Sequence, residues 1–169
     1  MKYFIITLLT AVIFIGCKKD EAPLVDHGSI TARNIVFEFS QATMDSITYS
    51  EIIDGKIIWL LKMVYTLSSE DGKNTTVLSF TTTKKQFASG EYFINFETLE
   101  FGTNTIRGSY QLVEDYGQNR TNNTAKGTLF FQKKGDREIL QFTTKGDSKV
   151  IIKWDGIVKD ELRSKKEMK

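Results

Sequence analysis

Residues 104–114 read NTIRGSYQLVE, and their alternation decides the fold. Ile106, Tyr110 and Leu112 fall on one side of an extended chain, while Arg107, Ser109 and Gln111 fall on the other. Successive side chains of a β-strand point to opposite faces, so this segment is predicted as a strand with one apolar face and one wet face. Residues 148–158 repeat the pattern, with Val150, Ile152 and Trp154 set against Lys153 and Asp155. The same period of two recurs over 29–40, 45–53, 56–68, 74–83, 90–97, 124–133 and 137–144. Turn chemistry separates these runs: Asp54-Gly55 and Asp71-Gly72 tolerate positive φ and favour tight hairpins, and Gly135-Asp136 and Gly146-Asp147 are similar. Connections this short hold no crossover helix, so sequence neighbours are expected to pair antiparallel as a meander of about eight or nine strands.

The fold class is therefore all-β, and a sheet of this size either closes into an open up-and-down barrel or splits into a two-sheet β-sandwich. The barrel reading resembles the lipocalins in topology, although Trp59 is preceded two residues earlier by Ile57 where a lipocalin carries Gly. Residues 56–68 stand apart. Ile57, Trp59, Leu61, Met63, Tyr65 and Leu67 share one face, while Ile58, Leu60 and Val64 occupy the other, so both faces want cover. A central strand capped by the amino-terminal segment or a short helix satisfies that need, and an apolar groove or partner surface is the alternative.

Composition narrows the chemistry. The chain has 169 residues, with 23 Lys and Arg against 21 Asp and Glu spread along its length, which gives no basic footprint for nucleic acid. One Cys excludes an intramolecular disulfide and a thiolate zinc cluster. The sole imidazole, His27, leaves no Ser-His-Asp triad with a tuned base and no HExxH site, and no nucleotide-binding glycine motif occurs. No metal or cofactor is expected. Carboxylate chemistry of the glycosidase kind has only Glu97, Glu100, Glu114, Asp115 and Asp155 available at predicted strand ends, where acidic residues are ordinarily solvated.

The amino terminus reads as an address. Lys2 precedes the apolar run from Tyr3 to Gly16, which is shorter than the roughly 20 residues a membrane-spanning helix needs but suits a secretory signal. Phe14-Ile15-Gly16-Cys17 resembles the lipobox of bacterial lipoproteins, with Phe14 where Leu is commonest. The resemblance implies that Cys17 is diacylated and becomes the new amino terminus, and two acyl chains anchor stably where one does not. Lys19-Asp20-Glu21 is similar to the Lys-acidic-acidic surface-export signal of Bacteroidota lipoproteins, which implies an outer-membrane location facing outward, or else the periplasm. The expected organisation is a signal peptide over 1–16, a lipidated Cys17 and flexible tether to 28, a β domain over 29–158 and a charged tail over 159–169. The whole resembles the small all-β lipoproteins of Bacteroidota.

Binding residues concentrate on loops set on a rigid scaffold. In a strict meander the loops 84–89 and 115–123 share one end of the domain. Tyr116, Asn119 and Arg120, together with Lys84 and Lys85, are therefore the candidates, because an aromatic ring beside amide and guanidinium groups suits a sugar. Asp45-Ser46-Ile47 resembles a short O-glycosylation signal of exported Bacteroidota proteins, which implies Ser46 as acceptor. The function expected is a non-catalytic, lipid-anchored binding module for a glycan or protein partner. An envelope-protecting inhibitor that plugs a hydrolase with the 115–123 loop is the first alternative, and a carboxylate-dependent glycoside hydrolase the second.

Overall fold

A computed structural model describes residues 24–32, 35–83, 87–94, 105–114, 119–123, 126–145 and 149–160, with 119–123 followed as backbone. Among these residues there are twelve strands and no helix: β1 (His27–Ala32), β2 (Ile35–Phe39), β3 (Gln41–Ile53), β4 (Lys56–Ser68), β5 (Thr75–Thr82) and β6 (Gly90–Ile94), then β7 (Thr105–Glu114), β8 (Asn119–Asn123), β9 (Gly127–Lys134), β10 (Arg137–Thr144), β11 (Val150–Ile157) and β12 (Lys159–Asp160). The all-β expectation holds, and of its two forms the sheet takes the open barrel. One hydrogen-bonded sheet runs β12-β3-β4-β5-β7-β6-β9-β10-β11-β1-β2, with β8 pairing β7 off that path.

The curl brings the two halves of the sheet face to face across one core. Phe142 of β10 packs on Phe80 of β5 and Tyr110 of β7, at ring-centroid distances of 6.2 and 5.6 Å. Trp154, Ile152, Ile30, Leu129 and Leu140 complete the interior from the second half, and Leu67 and Leu78 from the first. The face assignments made from period two hold here: Ile106, Tyr110 and Leu112 are buried, as are Val150, Ile152 and Trp154. Burying such side chains contributes roughly 1.5–3 kcal/mol each, which drives the curl.

Turn chemistry explains the hairpins. Asp54 and Gly55 take φ of 51° and 73°, the left-handed pair that a two-residue turn between β3 and β4 requires. The Asp71-Gly72 turn is looser than a tight hairpin. Ser69–Asn74 connects β4 to β5, closed by the Ser69 amide donating to the Asn74 carbonyl and by the Ser69 hydroxyl donating to Asp71.

The strict meander does not hold. β5 pairs with β7, while β6 crosses to β9 and touches β7 only through a short parallel bridge at Phe93↔Thr105 and Ile94↔Ile106. The connection over 95–104 is long enough to return the chain in the same direction, so it escapes the rule that fixes short connections as antiparallel. Three boundaries also move. The run 29–40 is two strands, β1 and β2, joined between Ala32 and Ile35; β3 starts at Gln41; and β1 begins at His27, which belongs to the barrel. Asn119–Asn123 folds back on β7 as β8, with Asn119 opposite Glu114, so only 115–118 connects the two strands. Its polar side chains hid it from a reading based on apolar alternation.

Candidate functional site

At one end of the sheet β3 is covered only by the two-residue β12. β12, the continuation of β11, pairs parallel with β3 at Lys159↔Thr43 and Asp160↔Met44, and among the described residues nothing pairs with that edge of β3 beyond Met44. A cleft of about 440 Å³ opens there. Its walls are Met44 and Ser46 of β3, Leu61, Met63 and Tyr65 of β4, Phe87, and Phe131 of β9, with Lys133 and Glu138 at one end. Small-ligand sites commonly have this volume and this mostly apolar lining with a few convergent polar groups.

The polar end is set by strand parity. Glu138 sits on the inward face of β10 in series with Leu140 and Phe142, and it is only 5 % exposed. A carboxylate in such a place requires partners, and it has two. The Tyr65 hydroxyl donates to Oε2 at 3.1 Å, and the Lys133 ammonium donates to Oε1 at 3.0 Å. Lys133 stands opposite Glu138 in the β9–β10 register, with its side chain 59 % exposed at the rim. Burial, reinforced by the Glu138 charge and hydrogen bond, pushes the Tyr65 phenol far above its ordinary pKa, so it stays a donor.

The far wall is aromatic. Phe87 packs on Phe131 at 4.6 Å and stacks on Tyr92 at 4.7 Å, while the Tyr92 hydroxyl donates to the Ala88 carbonyl at 2.6 Å and holds that loop down. Burial raises the Tyr92 pKa. Met44 and Met63 supply polarizable thioethers that adapt to the shape of an occupant.

Two other surfaces compete for attention. A larger depression of about 620 Å³ is lined by Val25, Asp26, His27, Glu38, Phe39, Ser40, Ser69, Glu70 and Asp71. Its walls are chiefly strand-end and turn residues open to solvent, and Asp71, whose pKa is lowered by the Ser69 hydroxyl and the Lys73 amide, serves the turn. Among the described residues no three His, Cys, Asp or Glu are placed to hold a metal ion. The second surface is the β3–β4 hairpin. Inward parity continues from Tyr65 through Met63 and Leu61 to Trp59, Ile57 and cross-strand Ile52, but the last three are 65 %, 68 % and 77 % exposed. The opposite face of β4 does find cover: Leu60 is buried, and the Arg107–Glu51 ion pair at 3.5 Å crosses its level from β7 to β3.

The residues expected from sequence are distributed differently from that cleft. Cys17, Lys84, Lys85 and Tyr116 lie outside the described residues. Asn119 and Arg120 lie on β8, opposite Glu114 and Val113. β5 ends at Thr82, next to the Thr81–Arg107 pair near the start of β7, whereas β7 ends at Glu114, next to the Val113–Thr75 pair at the opposite end. The shared end expected of the two loops fails because β7, not β6, is the neighbour of β5. Ser46 lies inside β3, half-buried on the cleft wall, so a sugar attached there would occupy the cleft mouth. Of the carboxylates considered for catalysis, Asp155 is engaged by Arg137 at 3.0 Å and Glu114 is on β7, while Glu97, Glu100 and Asp115 lie outside the described residues. Glu138 and Lys133 went unnoticed in the sequence. Their signal was present, since period two from Leu140 and Phe142 puts Glu138 inward, and the same count from Leu129 and Phe131 does so for Lys133.

No protein-family model matches the chain, and neither curated proteins nor solved structures show significant similarity to it.

Proposed function

We propose that this chain is a non-catalytic binding module, lipid-anchored at Cys17 to the outer membrane on its surface or periplasmic side, and that the cleft beside β3 is its ligand site. One observation carries the site: a buried carboxylate, held by Tyr65 and Lys133, closes one end of a cleft whose other walls, Ser46 apart, are thioether, aliphatic and aromatic. A site of that composition suits a small amphipathic molecule, with its apolar body against Met63 and Phe131 and its polar end at Glu138. The lipobox resemblance supports the anchor. The fold supports a tether, because Asp26 is fixed to the barrel by Arg137 and lies about nine residues from Cys17, a reach of at most ~30 Å.

Ser46→Trp tests the site by filling the cleft from its wall. Binding of an apolar fluorescent probe to the full chain should fall at least about tenfold with the fold intact, the loss expected when a ligand loses most of its buried contacts; undiminished binding would remove the cleft from consideration. Mass analysis of the mature amino terminus tests the anchor, and an intact Met1 or an unmodified Cys17 would remove it. A protein partner is the second reading, favoured by Ile52, Ile57 and Trp59, since exposed apolar groups gathered on one face mark interaction sites. A photo-crosslinker at position 59 in whole cells should then yield one discrete adduct.

A further inference from the structure

We infer that the cleft selects an organic ammonium, a monoamine on a small aromatic or aliphatic body, which pairs with Glu138 by displacing the Lys133 side chain. The inference rests on the cleft being the ligand site and names the chemistry it takes. The two charges at the end of the cleft are not equivalent. Glu138 is nearly sealed into the wall, while Lys133 reaches it from the rim with most of its side chain in water. The anion is thus the fixed member of the pair and the cation the exchangeable one. An occupant that excludes water from the cleft makes the carboxylate more dependent on a partner, because a buried charge without one is costly.

An incoming ammonium supplies that partner, and the released Lys133 moves outward at small cost because its ammonium is strongly hydrated and its stem flexible. Geometry leaves room for the exchange. The described residues fill one site on each Glu138 oxygen, out of about four that a carboxylate offers, and Tyr65 keeps its bond whichever cation is present. The adjoining walls suit the same ligand. Phe87 and Phe131 present aromatic surface and Met63 a polarizable sulfur, and aromatic faces attract ammonium groups as well as apolar bodies. A carboxylate ligand meets the Glu138 charge instead, and a neutral alcohol leaves the Lys133–Glu138 pair in place and gains no ion pair.

The test is calorimetric titration of the full chain with phenethylammonium, its neutral isostere 2-phenylethanol and the anion 3-phenylpropionate. The ammonium should bind severalfold more tightly than the alcohol, because its bond to Glu138 inside the dry cleft replaces the solvent-screened Lys133 bond, with the anion weakest. Lys133→Ala should tighten ammonium binding severalfold by removing the competitor, and Glu138→Gln should erase the preference. Equal affinity for ammonium and alcohol, or no tightening in Lys133→Ala, would overturn the ammonium assignment while leaving the cleft as a site. Absence of binding by all three probes would overturn both. If Glu138→Gln does not fold, the ammonium-to-alcohol ratio in the wild type and in Lys133→Ala decides the question.

Discussion

The two ends of β4 show how differently the same barrel treats its margins. At the Ser68 end the chain is fastened by charge. The Arg137 guanidinium donates to Asp26 at 2.9 Å, to Asp155 Oδ1 at 3.0 Å and to the Asp155 carbonyl at 3.0 Å, and Asp26 also accepts the Ile157 amide at 3.1 Å. Gly156 permits this approach, since a Cβ there would lie 2.6 Å from the Trp154 ring and 2.8 Å from Asp26. At the Lys56 end the hairpin extends an apolar face past the core, with nothing fastening Ile52, Ile57 and Trp59 among the described residues. The cleft lies between the two and shares a character with each, a held carboxylate at one end and unfilled apolar wall toward the other. Apolar alternation alone therefore does not say what is core. It says which side faces inward, and the opposite half of the sheet decides how far along a strand that side is covered.

Four substitutions would break or sharpen this contrast, in falling order of effect. Phe142→Ala removes the ring on which both halves converge, and chemical denaturation should show a loss of about 3–5 kcal/mol. Arg137→Ala should cost about 2 kcal/mol, less than a fully buried ion pair because its carboxylate partners are partly solvated. It should also speed hydrogen exchange at the Ile157 amide while leaving cleft ligands bound. If exchange there is unchanged, the clamp does not hold the amino-terminal segment.

Tyr65→Phe should cost about 1 kcal/mol near neutrality by taking one hydrogen bond from Glu138. It also carries a pH signature. Burial first, then Glu138, raises the phenol pKa in the folded state, so the unfolded chain releases the Tyr65 proton near its ordinary value of about 10 while the folded chain keeps it. That contribution is fully present below about pH 10 and is lost as the pH rises above it, so alkaline melting should be steeper in the wild type than in Tyr65→Phe. Parallel curves would show that the phenol is not coupled to folding in this way. The smallest effect belongs to Trp59→Ser at the free end of the hairpin, with a change of less than about 0.5 kcal/mol in stability. A larger loss in denaturation would mean that the hairpin face is covered in the folded chain.

The sequence was most legible where one rule governs one strand. Val150, Ile152 and Trp154, or Ile106, Tyr110 and Leu112, alternate cleanly, and Asp54-Gly55 announces its turn. Legibility fell where pairing is non-local. Nothing in GEYFI distinguishes a strand bound for β9 from one that stays beside β5, because the choice depends on the length of the following connection and on partners remote in sequence. β8 was hidden for a related reason, since its backbone bonds to β7 need no apolar side chain. The site was written in the same period as the core. Glu138 and Lys133 occupy inward positions, and a charged residue on an apolar face was the clue, but only the fold shows that they meet each other and Tyr65.

The central claim is that a small ligand enters the cleft between β3 and the β9–β10 hairpin, and the methionines report on it directly. Met44 and Met63 line that cleft, whereas Met1 and Met168 lie outside the described residues. In the full chain labelled with 13C at the methionine methyls, titration with phenethylammonium should move the Met44 and Met63 resonances together along one saturable curve. Saturable binding that leaves both cleft methyls unmoved would contradict the claim and place the ligand elsewhere on the molecule.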